Sequence, residues 1–263
     1  MCHGGCRYLG ATLASGAKIQ LCGNVVVEID GRRVEGELPG RQGLLLFAYL
    51  ATHRGRSSSR DRLIDAIWPR GSPAAAEGAL SALLSKLRRV LGESILSGRS
   101  EVRLRLGEGA FVDLEAAGEA IHRAESAVAR ELWREAWGPS RVALHTANRE
   151  FLPGLDAPWI DEQRRELEDV RLRALECVAG AGLGLGGPEI AATERAGRRL
   201  TELAPYRESG YRYLMEALER GGNVAEAVLV YDRIRRLLRE ELGIAPGEEI
   251  QVVHGRLLER RAT

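Results

Sequence analysis

Three observations predict a mostly α chain: an N-terminal winged helix-turn-helix of mixed α+β structure, followed by an all-α, tetratricopeptide-like helical array. Strand patterns are confined to the first 112 residues. One amphipathic segment there, Glu77 to Leu91, sets an apolar stripe against a small, cationic face. From residue 113 onward, helix-length segments follow one another with short breaks. The expected divisions are a disordered leader at 1–17, the winged module at 18–112 and the array at 113–263.

From Lys18 to Val34 the turn signals Gly23-Asn24 and Asp30-Gly31 bracket Val25 to Ile29, the pattern of a small antiparallel meander. Leu38 to Thr52 is densely apolar, with no β-branched residue before Thr52 and with Pro39 at its start, which predicts a buried first helix. Ser57, Ser58 and Ser59 offer an N-cap to a short second helix, Asp61 to Trp68. Its Leu63, Ile64, Ile67 and Trp68 face inward, and Pro69 ends it.

The third helix is EGALSALLSKLRRVL, residues 77–91. Leu80, Leu83, Leu84, Leu87 and Leu91 recur at the spacing of a buried stripe, and Gly78, Ala82, Ser85 and Arg89 point away from it. Ser81, Lys86 and Arg88 flank that outer face. Small residues let a backbone approach a groove wall, and the cations reach phosphates or guanine acceptors. Two alternating runs follow, Ile95 to Ser97 and Val102 to Leu106, joined by Gly98, Arg99 and Ser100 into a hairpin with a basic tip. Helices two and three then form a helix-turn-helix, with the hairpin as its wing.

Beyond Asp113, breaks are expected at Gly138-Pro139, Pro153-Gly154, Pro158, Gly180 to Pro188, Pro205, Gly221-Gly222 and Pro246. Tyr211, Leu214 and Leu218, then Ala227, Tyr231 and Ile234 across a Gly221-Gly222-Asn223 turn, carry a loose tetratricopeptide-like pattern. The pair Trp133 and Trp137, with Trp159, reads as packing. The charged run from Asp161 to Asp169 reads as a solvated helix face with internal ion pairs.

Charge is balanced overall at +1 but unevenly placed. Residues 1–115 carry 16 basic against 12 acidic side chains, leaving 22 against 25 for the rest. That suits a nucleic-acid module joined to a protein-contact module. Arginine supplies nearly all the cations; Lys18 and Lys86 are the two lysines.

Cysteines at 2, 6, 22 and 177 build neither a disulfide framework nor a paired zinc knuckle, and Cys2, His3 and Cys6 fall short of a ligand set. A reducing, cytoplasmic setting is expected, with no signal peptide and no membrane span. The string GLGLGG at 182–187 matches a dinucleotide fingerprint only on paper, because no strand feeds it; an inter-helix loop is the expected reading. The scattered histidines 3, 53, 122, 145 and 254 make no constellation, so no catalytic residue, cofactor or metal is assigned.

The whole arrangement resembles the Streptomyces antibiotic regulatory protein (SARP) family, an OmpR-like winged helix fused to a bacterial transcriptional activator domain. LSALLSKLRRVL at 80–91 looks like that family's recognition helix, and DRLIDAIWP at 61–69 is similar to its second helix. FLPG at 151–154, WIDEQR at 159–164, LAPYRE at 203–208 and EELG at 240–243 followed by Pro246 look like activator-domain landmarks. The resemblance implies a transcriptional activator that binds direct repeats in promoter DNA, self-associates as a homodimer and contacts RNA polymerase. It places Ser81, Ala82, Ser85, Lys86 and Arg88 against DNA.

SEVRLRLGEGAFVDLE stands where relatives carry a glycine-tyrosine pair, leaving Arg99 as the wing contact. No ATPase or sensor module is expected after the array. With the amides of the second helix's N-terminus (Ser58, Ser59, Arg60) on a phosphate and Arg89 beside Arg88, the candidate DNA surface is complete. A helical protein-interaction adaptor carrying a degenerate winged helix is the competing reading.

Overall fold

The computed structural model describes residues 16–71 and 73–261, in two compact units that divide between Val112 and Asp113. The front unit runs β1 (Lys18–Gln20), β2 (Val26–Ile29), β3 (Arg32–Arg33), α1 (Gly40–Thr52), β4 (Ser58–Ser59), α2 (Arg60–Ile67), α3 (Ala76–Leu91), β5 (Leu96–Ser97), β6 (Glu101–Leu104) and β7 (Phe111–Val112). The meander forms as its turn signals predict, and β7 joins it in parallel beside β1, giving the order β3-β2-β1-β7. Ala17, inside the stretch expected to be a disordered leader, is buried, and its carbonyl accepts the Phe111 amide at 2.8 Å. Residues 1–15, with Cys2, His3 and Cys6, lie outside the described residues.

A second sheet, ordered β4-β6-β5, adds a strand to the expected hairpin: Ser58 and Ser59 pair with Val102 and Glu101. Helices α1, α2 and α3 pack on one another and bury Phe47, Leu50, Leu63, Leu80, Leu84 and Leu87. All five stripe leucines of α3 are buried, as the periodicity requires. Trp68 lies just past the end of α2 and is only half-buried. Gly98 turns the hairpin at φ +91°, where an added Cβ would overlap the Glu101 carbonyl; the tight tip therefore demands glycine.

The back unit is all helix: α4 (Asp113–Val128), α5 (Trp133–Ala147), α6 (Pro158–Leu185), α7 (Ile190–Leu203), α8 (Glu208–Arg220), α9 (Val224–Leu237) and α10 (Glu248–Arg261), with a π-helical turn at Leu238–Leu242. Helices α4 and α5, α6 and α7, and α8 and α9 pack as hairpins, each on the next, and α10 closes on α8 and α9. Tyr211, Leu214, Leu218, Ala227, Tyr231 and Ile234 form one core there with Ile250, Val253 and Leu257 of α10.

The break expected at Gly138-Pro139 does not occur, and the one expected over Gly180 to Pro188 is confined to its end, at Gly186-Gly187. Pro139 sits inside α5, in its second turn, where the loss of one backbone donor is outweighed by burial of Ala136, Ser140 and Ala143. Helix α6 runs through Gly180, Gly182 and Gly184 to Leu185, so these glycines are helical and not a loop. Their reason is close packing: a Cβ at Gly182 would meet Thr193 Oγ1 at 2.5 Å, and one at Gly184 would enter the Trp133 ring.

The charged run begins α6 as an exposed face with internal pairs such as Arg164 with Asp161 at 3.4 Å. Arg164 also donates to the carbonyls of Phe151, Leu152 and Leu155, which ties the preceding loop to the helix. No described helix is long and apolar enough to cross a membrane.

Candidate nucleic-acid interface

The outer face of α3 is where the sequence places it. Ser81, Ala82, Ser85, Lys86 and Arg89 are all exposed, with Glu77 and Gly78 at the N-terminal end of the same face. The helix ends suit the macrodipole, with Glu77 in the first turn and Arg88 and Arg89 in the last. From the meander, Arg32 donates to the Val90 carbonyl at 3.1 Å and so satisfies one of the orphan acceptors at the C-terminus of α3.

Two arginines of the candidate set are engaged by the protein itself. Arg60, first residue of α2, donates through Nε to Glu77 Oε2 at 2.6 Å and through one terminal nitrogen to the Glu77 carbonyl at 3.1 Å and Ser81 Oγ at 2.8 Å. Its other terminal nitrogen reaches the Arg99 carbonyl at 3.3 Å. The Ser81 hydroxyl in turn donates to the Glu77 carbonyl at 2.8 Å. Arg88, half-buried, donates to the carbonyls of Leu96 at 3.3 Å and Gly98 at 2.5 Å. One arginine thus ties the start of α3 to α2 and the wing tip, and the other ties its end to β5 and the same tip. These contacts give Arg60 and Arg88 a bracing role in the free protein; the sequence reading has Arg88 meet DNA through its side chain and Arg60 through its backbone amide at the start of α2.

Ser58 also departs from expectation. It is 4 % exposed and belongs to β4, paired with Val102, so it is a buried strand residue and not part of an open helix N-terminus. Ser59 is the N-cap of α2, as expected, and its hydroxyl accepts from the Arg62 amide at 3.5 Å. Lys86, Arg89 and Arg99 remain as exposed cations.

Two features of this surface lie outside the expected set. Glu77 is an acid on the same face. Arg103 and Arg105 are exposed along the wing strand and just after it, while Val102 and Leu104 are buried. The alternation in EVRLRL was the available signal for the arginines. For Glu77 the signal was its spacing of four and eight residues from Ser81 and Ser85.

The family described as bacterial transcriptional activator domain matches residues 112–258, the helical array almost end to end. Over 233 residues the chain is 36 % identical to the regulatory protein AfsR of Streptomyces coelicolor, covering 88 % of this chain and 23 % of AfsR; it spans about a quarter of that relative. It is 25 % identical over 258 residues to the transcriptional regulatory protein MoaR1 of Mycobacterium tuberculosis, covering 95 % of this chain and 82 % of MoaR1. The solved structure of Mycobacterium tuberculosis EmbR, in complex with a low-affinity phosphopeptide, superposes with a TM-score of 0.75 over 93 % of this chain and 65 % of EmbR. At 23 % identity that establishes a shared fold. A matched activator domain behind a winged helix, together with these relatives, identifies the chain as a member of the SARP family of transcriptional regulators that carry a bacterial transcriptional activator domain.

Proposed function

We propose that this chain is a non-enzymatic, sequence-specific regulator of transcription that acts in the cytoplasm on double-stranded promoter DNA. Helix α3 enters the major groove, with Ser81, Ala82 and Ser85 against base edges and Lys86 and Arg89 on phosphates; Arg99 carries the wing to the backbone. The observation that carries this reading is the exposed strip of α3, free of bulky side chains and edged by cations, on a helix braced at both ends by arginines. Ser59 and Arg60 stand behind the contact, ordering the start of α2 and α3.

The helical array provides the protein-contact surface. By the family relationship it takes part in self-association and in recruiting RNA polymerase to promoters with direct repeats, which makes the protein an activator.

Titration of the full chain against a fluorescent random duplex over a range of KCl tests the reading. Binding weakens as salt rises, and Lys86→Ala and Arg89→Ala each lower the log–log slope by about 0.9, one phosphate apiece, without moving the melting temperature. A chain that passes heparin unretained and ignores duplex at low salt overturns the proposal in favour of a helical adaptor. Sequencing of DNA immunoprecipitated with the protein then supplies the promoter sites.

A further inference from the structure

A carboxylate on a DNA-facing helix calls for an explanation, because each backbone phosphate within reach repels it. Glu77 is such a group. It lies four residues before Ser81 and eight before Ser85, on the face assigned to base contact. Its side chain is 60 % exposed, whereas that of its partner Arg60 is 24 % exposed.

Arg60 holds it through one oxygen, Oε2, at 2.6 Å. Among the described residues Oε1 has no hydrogen-bond partner, so an acceptor is left available on the exposed first turn of α3. Arg60 is itself fixed by the Glu77 and Arg99 carbonyls and by Ser81 Oγ. The carboxylate is therefore oriented before any ligand arrives, and orientation by a neighbouring hydrogen bond is what a base-reading side chain requires.

We propose that Glu77 is a specificity-determining residue of this interface, accepting a hydrogen bond from the exocyclic amine of a cytosine in the major groove. The inference rests on the DNA-binding reading above. Of the four bases, guanine and thymine show acceptors at this edge and repel a carboxylate. Adenine shows its amine beside the N7 acceptor, which opposes the second oxygen. Cytosine shows the N4 amine alone. The same charge disfavours loose association with any duplex, so Glu77 lowers non-specific affinity while selecting one base. The N-terminal turn of a recognition helix is also the part that meets base edges in helix-turn-helix proteins.

In vitro selection from a randomised duplex library, run with the full chain as wild type, Glu77→Ala and Glu77→Gln, tests this. The wild type selects a site with one cytosine position that depends on residue 77. At that position Glu77→Ala loses about tenfold in discrimination, and Glu77→Gln shifts toward adenine, whose N6 and N7 an amide can pair together. The other positions persist in both variants. Glu77→Gln also binds a random duplex more tightly than the wild type does.

Unchanged preference at every position in both variants overturns the assignment. So does relaxation spread over the whole site with a fallen melting temperature, which marks Glu77 as a purely structural partner of Arg60. A wild type that selects no sequence removes the DNA-reading function itself, and this assignment with it.

Discussion

Substituting Arg88 separates bracing from direct DNA contact. Its guanidinium joins the last turn of α3 to the carbonyls of Leu96 and Gly98, eight and ten residues away, at 3.3 and 2.5 Å. A hydrogen bond to a charged donor contributes about 1.5–3 kcal/mol where water is excluded. Gly98 is exposed, so its carbonyl regains water in the variant, while Leu96 is buried. Discounting the exposed bond, Arg88→Ala costs the wing about 1–2 kcal/mol. That corresponds to about 5- to 30-fold faster amide exchange across the β5–β6 hairpin, with α5 to α10 unaffected.

DNA affinity falls as well, because an unfixed wing must be ordered on binding, yet the slope of affinity against salt stays as in the wild type. Arg88→Lys does not restore protection, since one ammonium cannot replace a fork that spans two carbonyls. Hydrogen exchange by mass spectrometry, run beside salt-dependent anisotropy, reads both quantities. A variant whose hairpin exchanges at the wild-type rate but whose slope drops by about 0.9 would show Arg88 to be a phosphate ligand and refute the brace.

Gly98→Ala tests the turn geometry behind the same wing. With φ at +91° and the new Cβ against the Glu101 carbonyl, the tip must re-form; duplex affinity is expected to fall at least severalfold while helical circular dichroism is retained, and unchanged affinity contradicts any wing contribution. In the back unit, Arg173 grips both oxygens of Glu125 at 2.6 Å, linking α6 to α4. That hydrogen-bonded pairing holds the Glu125 carboxyl below its usual 4.5. Because the folded-state value is the lower one, the contribution is complete above about pH 4.5 and is lost as pH falls through the depressed value. Calorimetry against pH is expected to show a melting temperature of the array that declines over that acid range in the wild type and declines less in Glu125→Gln; identical profiles refute the linkage.

Much of this architecture was legible from periodicity alone. The positions of the five leucines fix which side of α3 is buried, and burial on one side defines the other. The meander, the capped second helix and the Tyr211 to Ile234 pattern were equally legible, because each depends on residues close in sequence. The failures share a physical cause. Pro139, Gly182 and Gly184 look like breaks by local propensity, but tertiary contacts override it: α5 buries a face around the proline, and α6 uses its glycines as seats for Thr193 and the Trp133 ring. Ser58 reads as part of a cap because nothing in its neighbourhood announces a pairing with Val102, forty-four residues later.

The site residues were legible only as a face, and the reason lies in arginine itself. A guanidinium with five donors on a long stem is as well suited to several protein carbonyls as to a phosphate, and sequence cannot say which it meets. In this chain the first use recurs. Arg32 serves the end of α3, Arg60 and Arg88 serve the wing, Arg164 serves three loop carbonyls, and Arg220 reaches the Leu183 carbonyl. Counting arginines therefore overstates the DNA footprint of the front unit. On α3 the groups that matter to the proposed interface are Lys86 and Arg89, the cations left facing outward, and Glu77, an acid on a face expected to be basic. On the proposed reading, this surface owes its affinity to a few free cations. Its selectivity rests on small and acidic groups held in place by braced arginines, so a map of substitutions ranked by loss of affinity and one ranked by loss of sequence preference should name different residues.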